Sequence, residues 1–118
     1  MHIPPLISSV EEWQECKSKS DESGQVLVLQ IGADWCKHCK PVEDTIQALQ
    51  KDYTFDFVFT DASDSDLPVH FGCTHLPTIV LYNPQSQETV MTESVRTNTA
   101  PAIINEACSK KLILDEEF

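Results

Sequence analysis

Long apolar stretches are missing from this chain of 118 residues. No segment approaches the ~20 consecutive apolar residues of a membrane-crossing helix, so a membrane protein is not expected. Positive charge is scarce as well. Eight Lys and Arg face 19 Asp and Glu, for a net charge of −11, which argues against nucleic acid or anionic lipid as the main partner. Protein partners with basic docking surfaces remain compatible with that charge, as does a plain contribution to solubility. Only three glycines and no low-complexity run occur, while 41% of the residues are hydrophobic, a composition that folds rather than stays disordered. Met1-His2-Ile3-Pro4-Pro5 lacks the basic and apolar regions of a signal peptide. Five cysteines cannot all pair within one chain, so a reducing, cytoplasmic setting is expected; a monomer is expected as well. Also lacking are a phosphate loop, a serine–histidine–acid arrangement and a supported pair of catalytic carboxylates.

What is present reads as one domain over residues 1–118. Ser8 and Ser9 precede Glu11 and Glu12 in a capping-box pattern that opens a helix from Val10 to about Ser20. After a turn over Asp21–Gly24, Val26-Leu27-Val28-Leu29 and Ile31 form a continuous apolar run, the pattern of a strand covered on both faces. Helical spacing of Val42, Ile46, Leu49 and Tyr53 predicts a helix from Cys36 onward. Phe55–Asp61 alternates as a second strand, and Ala62–Gly72 reads as a short helical crossover. Thr78–Tyr82 and Thr89–Val95 read as an antiparallel pair joined by a turn over Asn83–Gln87. Ala100–Lys111 reads as an amphipathic helix and residues 112–118 as an acidic tail. Helices interleaved with strands imply an α/β sheet with helices on both faces.

The segment that carries chemistry is Asp34-Trp35-Cys36-Lys37-His38-Cys39-Lys40. Two cysteines two residues apart at the start of a helix, after a buried strand, suit a reversible dithiol. The positive helix end favours a thiolate on Cys36, making it the nucleophile. One helical turn brings Cys39 beside it as the resolving thiol. Lys37, His38 and Lys40 add positive charge, and a protonated His38 would favour the Cys36 thiolate over the disulfide.

Trp35-Cys36-Lys37-His38-Cys39-Lys40, together with Leu76-Pro77-Thr78, resembles the thioredoxin superfamily over nearly the whole chain. The resemblance implies the thioredoxin fold, with a central mixed sheet of four to five strands. It implies a thiol–disulfide oxidoreductase that exchanges disulfides with protein substrates and carries no cofactor. Electrons would come from a thioredoxin reductase or from glutathione. It assigns Cys36 and Cys39 to catalysis, Lys37, His38 and Trp35 to tuning the couple, and Trp35, Leu76, Pro77 and His75 to the substrate groove. Pro77 would have a cis peptide bond facing the sulfurs.

The departures are specific. The buried aspartate that family members carry six residues before the first cysteine is Gln30 here, which cannot titrate. Its usual lysine partner is replaced by an apolar or hydroxyl residue within Phe57–Thr60. The family's glycine after the hairpin is absent from Glu93-Ser94-Val95-Arg96, and its helix proline is Asp44, with Pro41 nearer the helix start. The dipeptide Lys37-His38 resembles that of protein disulfide isomerases in its histidine. These losses leave a second reading open, a binding module on the same fold whose dithiol is secondary. His70-x-x-Cys73 with His75 has zinc-ligand residue types, but the expectation is no metal. Cys16 reads as a half-buried filler, Cys73, by the resemblance, as a buried one, and Cys108 as a candidate for regulation.

Overall fold

The central strand, β1 (Val26–Gly32), is buried along its whole length, as its unbroken apolar run requires. Its neighbours are β2 (Phe55–Asp61), parallel to it, and β3 (Thr78–Asn83), antiparallel to it. A final strand, β4 (Glu88–Thr92), pairs with β3 to give the mixed sheet order β2-β1-β3-β4. An isolated parallel bridge, Leu6 to Phe59, adds the beginning of a fifth strand outside β2 among the described residues. The computed structural model describes the backbone of residues 5–116 and the side chains of residues 5–108. Residues 1–4 and 117–118, the latter part of the expected tail, lie outside the described residues.

Alternation along β1 splits the core in two. Val26 and Val28 face one side, packed with Val42 and Ile46 of α2 (Cys39–Leu49) and Ile104 of α4 (Ala100–Glu116). Leu27, Leu29 and Ile31 face the other, packed with Trp13 of α1 (Val10–Ser23) and Leu67 of α3 (Leu67–Phe71). Helices therefore cover both faces, as the sequence pattern implied. Trp13 stands edge-on to Phe71 with ring centroids 5.5 Å apart, which ties α1 to α3.

Local chemistry sets the helix ends. Ser9 Oγ accepts from the Glu12 amide at 3.2 Å, and Glu12 accepts in return from the Ser8 amide at 2.9 Å. The reciprocal cap therefore closes one residue earlier than a standard box. These donors hold the Glu12 carboxyl below its ordinary pKa. Gly24 ends α1 at φ 75°, a left-handed conformation that glycine adopts without strain.

Five boundaries differ from expectation, the first being α1, which runs on to Ser23 through most of the expected turn Asp21–Gly24. The α2 helix begins at Cys39, because Cys36–His38 are taken up by a turn closed by Cys39 N–H donating to Cys36 C=O at 3.2 Å. The crossover is a short 3₁₀ turn over Ala62–Asp64 followed by the five-residue α3. The β4 strand stops at Thr92, three residues short. The last helix does not end at Lys111 but runs through Glu116, into the stretch read as a tail.

Candidate functional site

Both parallel strands, β1 and β2, end at the same edge of the sheet. In open α/β sheets that edge is where the connecting loops gather into a site. Four segments meet there: the turn Ala33–His38 after β1, Ala62–Asp66 after β2, Thr74–Pro77 leading into β3, and Glu93–Arg96 after β4. Cys36 and Cys39 are joined by a disulfide across the first segment, with Cα atoms 5.4 Å apart. The two sulfurs are unequal in access. Cys39 is 4% exposed and packed on the sheet, whereas Cys36 is only partly buried on the turn. Cys39 also sits tightly over β1: a Cβ at Gly32 would lie 3.1 Å from its sulfur and 3.0 Å from the Phe59 ring. Glycine is needed there to leave room for the sulfur.

Charge around the pair departs from the sequence reading. Burial and the nearby positive charges of Arg96 and Lys37 push His38 below its ordinary pKa. At neutral pH the positive charge beside the turn comes from Lys37 and Arg96 rather than from a protonated His38. The Lys40 charge is answered within α2 by Asp44 at 3.1 Å and Glu43 at 3.3 Å. Hydrogen bonds to those two carboxylates raise the Lys40 pKa. Arg96 was not among the expected site residues. Its position depends on a fold contact: Val95 N–H donates to Pro77 C=O at 2.9 Å, which brings the end of the hairpin to the loop before β3.

The remaining expected residues divide. Trp35 is 73% exposed and its indole N–H reaches Ser63 Oγ at 3.4 Å, so it is an exposed rim residue rather than a packing element. Thr78 pairs with Ile31, which sets Pro77 and Leu76 beside the end of β1 from which the disulfide turn leaves. The Leu76–Pro77 bond is cis. His75 lies exposed at the rim. Its backbone N–H donates to Glu93 Oε2 at 3.0 Å, and the Thr74 N–H does so at 2.7 Å. These donors lower the Glu93 pKa. Glu93 is a second residue that the linear pattern did not single out, because its partners lie 18 and 19 positions away.

The Thioredoxin family model matches residues 6–106. The chain belongs to the thioredoxin family. Thioredoxin H2 of Arabidopsis thaliana is 34% identical over 76 residues, which cover 63% of this chain and 57% of that protein. The chain thus spans little more than half the length of that relative. Among solved structures, thioredoxin NaTrxh from Nicotiana alata aligns with a TM-score of 0.71 at 26% identity, over 92% of this chain and 97% of that one. Fasciola hepatica thioredoxin aligns with a TM-score of 0.75 at 16% identity, over 87% and 98%, a likeness of fold alone. The matched domain carries a Cys-x-x-Cys pair, Cys36 and Cys39, joined as a disulfide.

Within the thioredoxin frame the departures have structural content. Gln30 is fully buried beneath α2 and paired in register with Phe59. Ser94 takes a left-handed φ of 55°, the conformation a glycine would hold with less strain. The α2 helix is continuous through Pro41 and Asp44. Pro41 lies in its first turn, where backbone N–H groups have no partner within the helix.

The other cysteines stay outside the disulfide. Cys73 packs against the α1 side of the core, and its thiol contacts His75 C=O and Thr78 Oγ1, each at 3.2 Å. Cys16 lines a cleft of about 600 Å³ between Pro5–Ile7, α1 and β2, and burial pushes its thiol above the ordinary pKa. Cys108 packs, partly buried, against the α2 side. The His70 ring stands against Phe71 at 4.9 Å. Among the described residues no three His, Cys, Asp or Glu gather in a metal-holding group.

Proposed function

We propose that this thioredoxin-family chain exchanges disulfides with protein substrates through Cys36 and Cys39. The observation that carries the reading is the unequal burial of one bonded pair: a partly buried Cys36 joined to a Cys39 that is 4% exposed. An incoming disulfide can meet only the outer sulfur, so Cys36 attacks and Cys39 resolves. The Cys36 thiolate forms a bond to one substrate sulfur and expels the other as a thiolate. Cys39, on losing its proton, then attacks Cys36, closes the internal disulfide and releases the second substrate thiolate. Two electrons pass to the substrate.

The rim supplies the binding groups in this proposal. Trp35 forms an exposed apolar platform, and the backbone of Leu76 beside Pro77 offers hydrogen bonds to an extended substrate segment, with His75 at its margin. Lys37 and Arg96 favour the Cys36 thiolate electrostatically, and His38, neutral at pH 7, adds to this only when acid protonates it. By analogy with the family, a thioredoxin reductase or glutathione restores the dithiol, the chain acts in the cytoplasm as a monomer, and no cofactor of its own takes part.

Insulin reduction driven by dithiothreitol tests this directly. Cys36→Ser abolishes the activity in this account. Cys39→Ser leaves a chain that accumulates the mixed disulfide with substrate, visible by mass under non-reducing conditions. Undiminished activity in Cys36→Ser refutes the assignment. The reading as a binding module rests on the altered groove around Glu93, and it predicts that a partner binds equally well to the double serine variant.

A further inference from the structure

Gln30 lies on the α2-facing side of β1 and is 0% exposed. Its Nε2 donates to the Cys39 carbonyl at 2.8 Å. A backbone carbonyl only accepts, so this bond orients the amide and leaves Oε1 as the outstanding group. Oε1 is buried with no hydrogen-bond partner, and among the described residues it is the one buried side-chain oxygen or nitrogen in that position. A buried acceptor in this state bears its full desolvation cost until a donor arrives.

A donor is created by the chemistry of the site itself. Residues 30 and 32 project from the same face of β1, and the Cys39 sulfur stands over that face, 3.1 Å from where a Cβ on Gly32 would be. In the disulfide this sulfur has no hydrogen to give. Reduction breaks the S–S bond with two electrons and two protons, and Cys39 becomes a thiol at a site water scarcely reaches. Its S–H needs an acceptor among protein groups.

We infer that Gln30 is a positioning residue for the dithiol state: its Oε1 accepts the S–H of reduced Cys39. The amide is then half satisfied in the disulfide and fully satisfied in the dithiol, and it biases the couple toward the dithiol. Its Nε2 bond to the Cys39 carbonyl is common to both states and cancels from their ratio. A neutral amide does this without taking up or giving a proton, so Gln30 holds the resolving thiol and leaves its deprotonation to solvent or substrate. The inference rests on the reading of Cys36 and Cys39 as a cycling pair.

The test is the disulfide-to-dithiol ratio of the full chain in a glutathione buffer of fixed composition and pH, by alkylation and mass. Gln30→Leu keeps the volume and removes the acceptor, and the ratio should rise about tenfold, the size of one buried hydrogen bond. Gln30→Glu keeps an acceptor oxygen, and the ratio should stay at the native value or fall below it. Thermal unfolding checks that each variant is folded, and Gln30→Met replaces Gln30→Leu with the same expectation if the latter is not. A leucine or methionine variant within twofold of the native ratio overturns the inference, as does an equal rise in the glutamate variant, which would mark a packing effect. If the native chain itself forms no Cys36–Cys39 disulfide, the underlying exchange reading fails instead.

Discussion

His38 shows how one side chain changes meaning once its neighbours are known. Next to Cys36 in the sequence it reads as a cationic tuner, because an isolated imidazole is close to half-charged near neutrality. Partial burial, together with the charges of Arg96 and Lys37, depresses its pKa, so it sheds its proton at a lower pH and is mainly neutral at pH 7. The consequence is measurable. In an NMR titration the His38 ring should change charge below the ordinary histidine range, and Arg96→Ala should move that midpoint upward. A midpoint indifferent to Arg96 would show that burial and Lys37 set it without Arg96. Gln30 and Gly32 teach the complementary lesson. Gln30 was legible as a position, six residues before Cys36, whereas Gly32 was not singled out, and the part each plays depends on the Cys39 carbonyl and sulfur that the fold places against them.

Elements were readable where local rules and burial agree. Phe55–Asp61 forms β2 with the expected limits, and the apolar run of β1 is buried on both faces. They failed to be readable where a distant partner decides the end. The β4 strand stops at Thr92 because Glu93 turns its carboxylate to Thr74 and His75, and Ser94 goes left-handed. The start of α2 is displaced because Cys36–His38 use their hydrogen bonds in the disulfide turn. A long-range tie of the same kind links α1 to β3: Tyr82 O–H donates to Asp21 Oδ1 at 2.7 Å. This bond, with burial, pushes the Tyr82 pKa from 10.0 up to about 12. A raised folded-state value means that this contribution is fully present below pH 10.0 and is lost as pH climbs toward about 12. Tyr82→Phe should therefore cost roughly 1 kcal/mol at pH 7 in urea unfolding and remove the late phenolate absorbance from a spectroscopic pH titration. A variant as stable as the native chain would show that the bond contributes nothing net.

At the scale of the whole molecule, a chain of net charge −11 places Lys37 and Arg96 at the one edge of its sheet where four loops and the disulfide meet. The fold was legible in the alternation of strands and helices and in two short motifs far apart in sequence, Trp35–Lys40 and Leu76–Thr78. Arg96 and Glu93 were not, since their contribution arises from the hairpin returning to Pro77. The central claim is that the two motifs make one working redox couple. Its most direct test is equilibration of the chain in glutathione buffers of graded ratio, with alkylation and mass counting of thiols. The account predicts that Cys36 and Cys39 oxidise together in a single transition between about −270 and −180 mV, the span from thioredoxin to disulfide isomerase. A chain that keeps both thiols in every buffer would contradict it and leave the fold as a binding module.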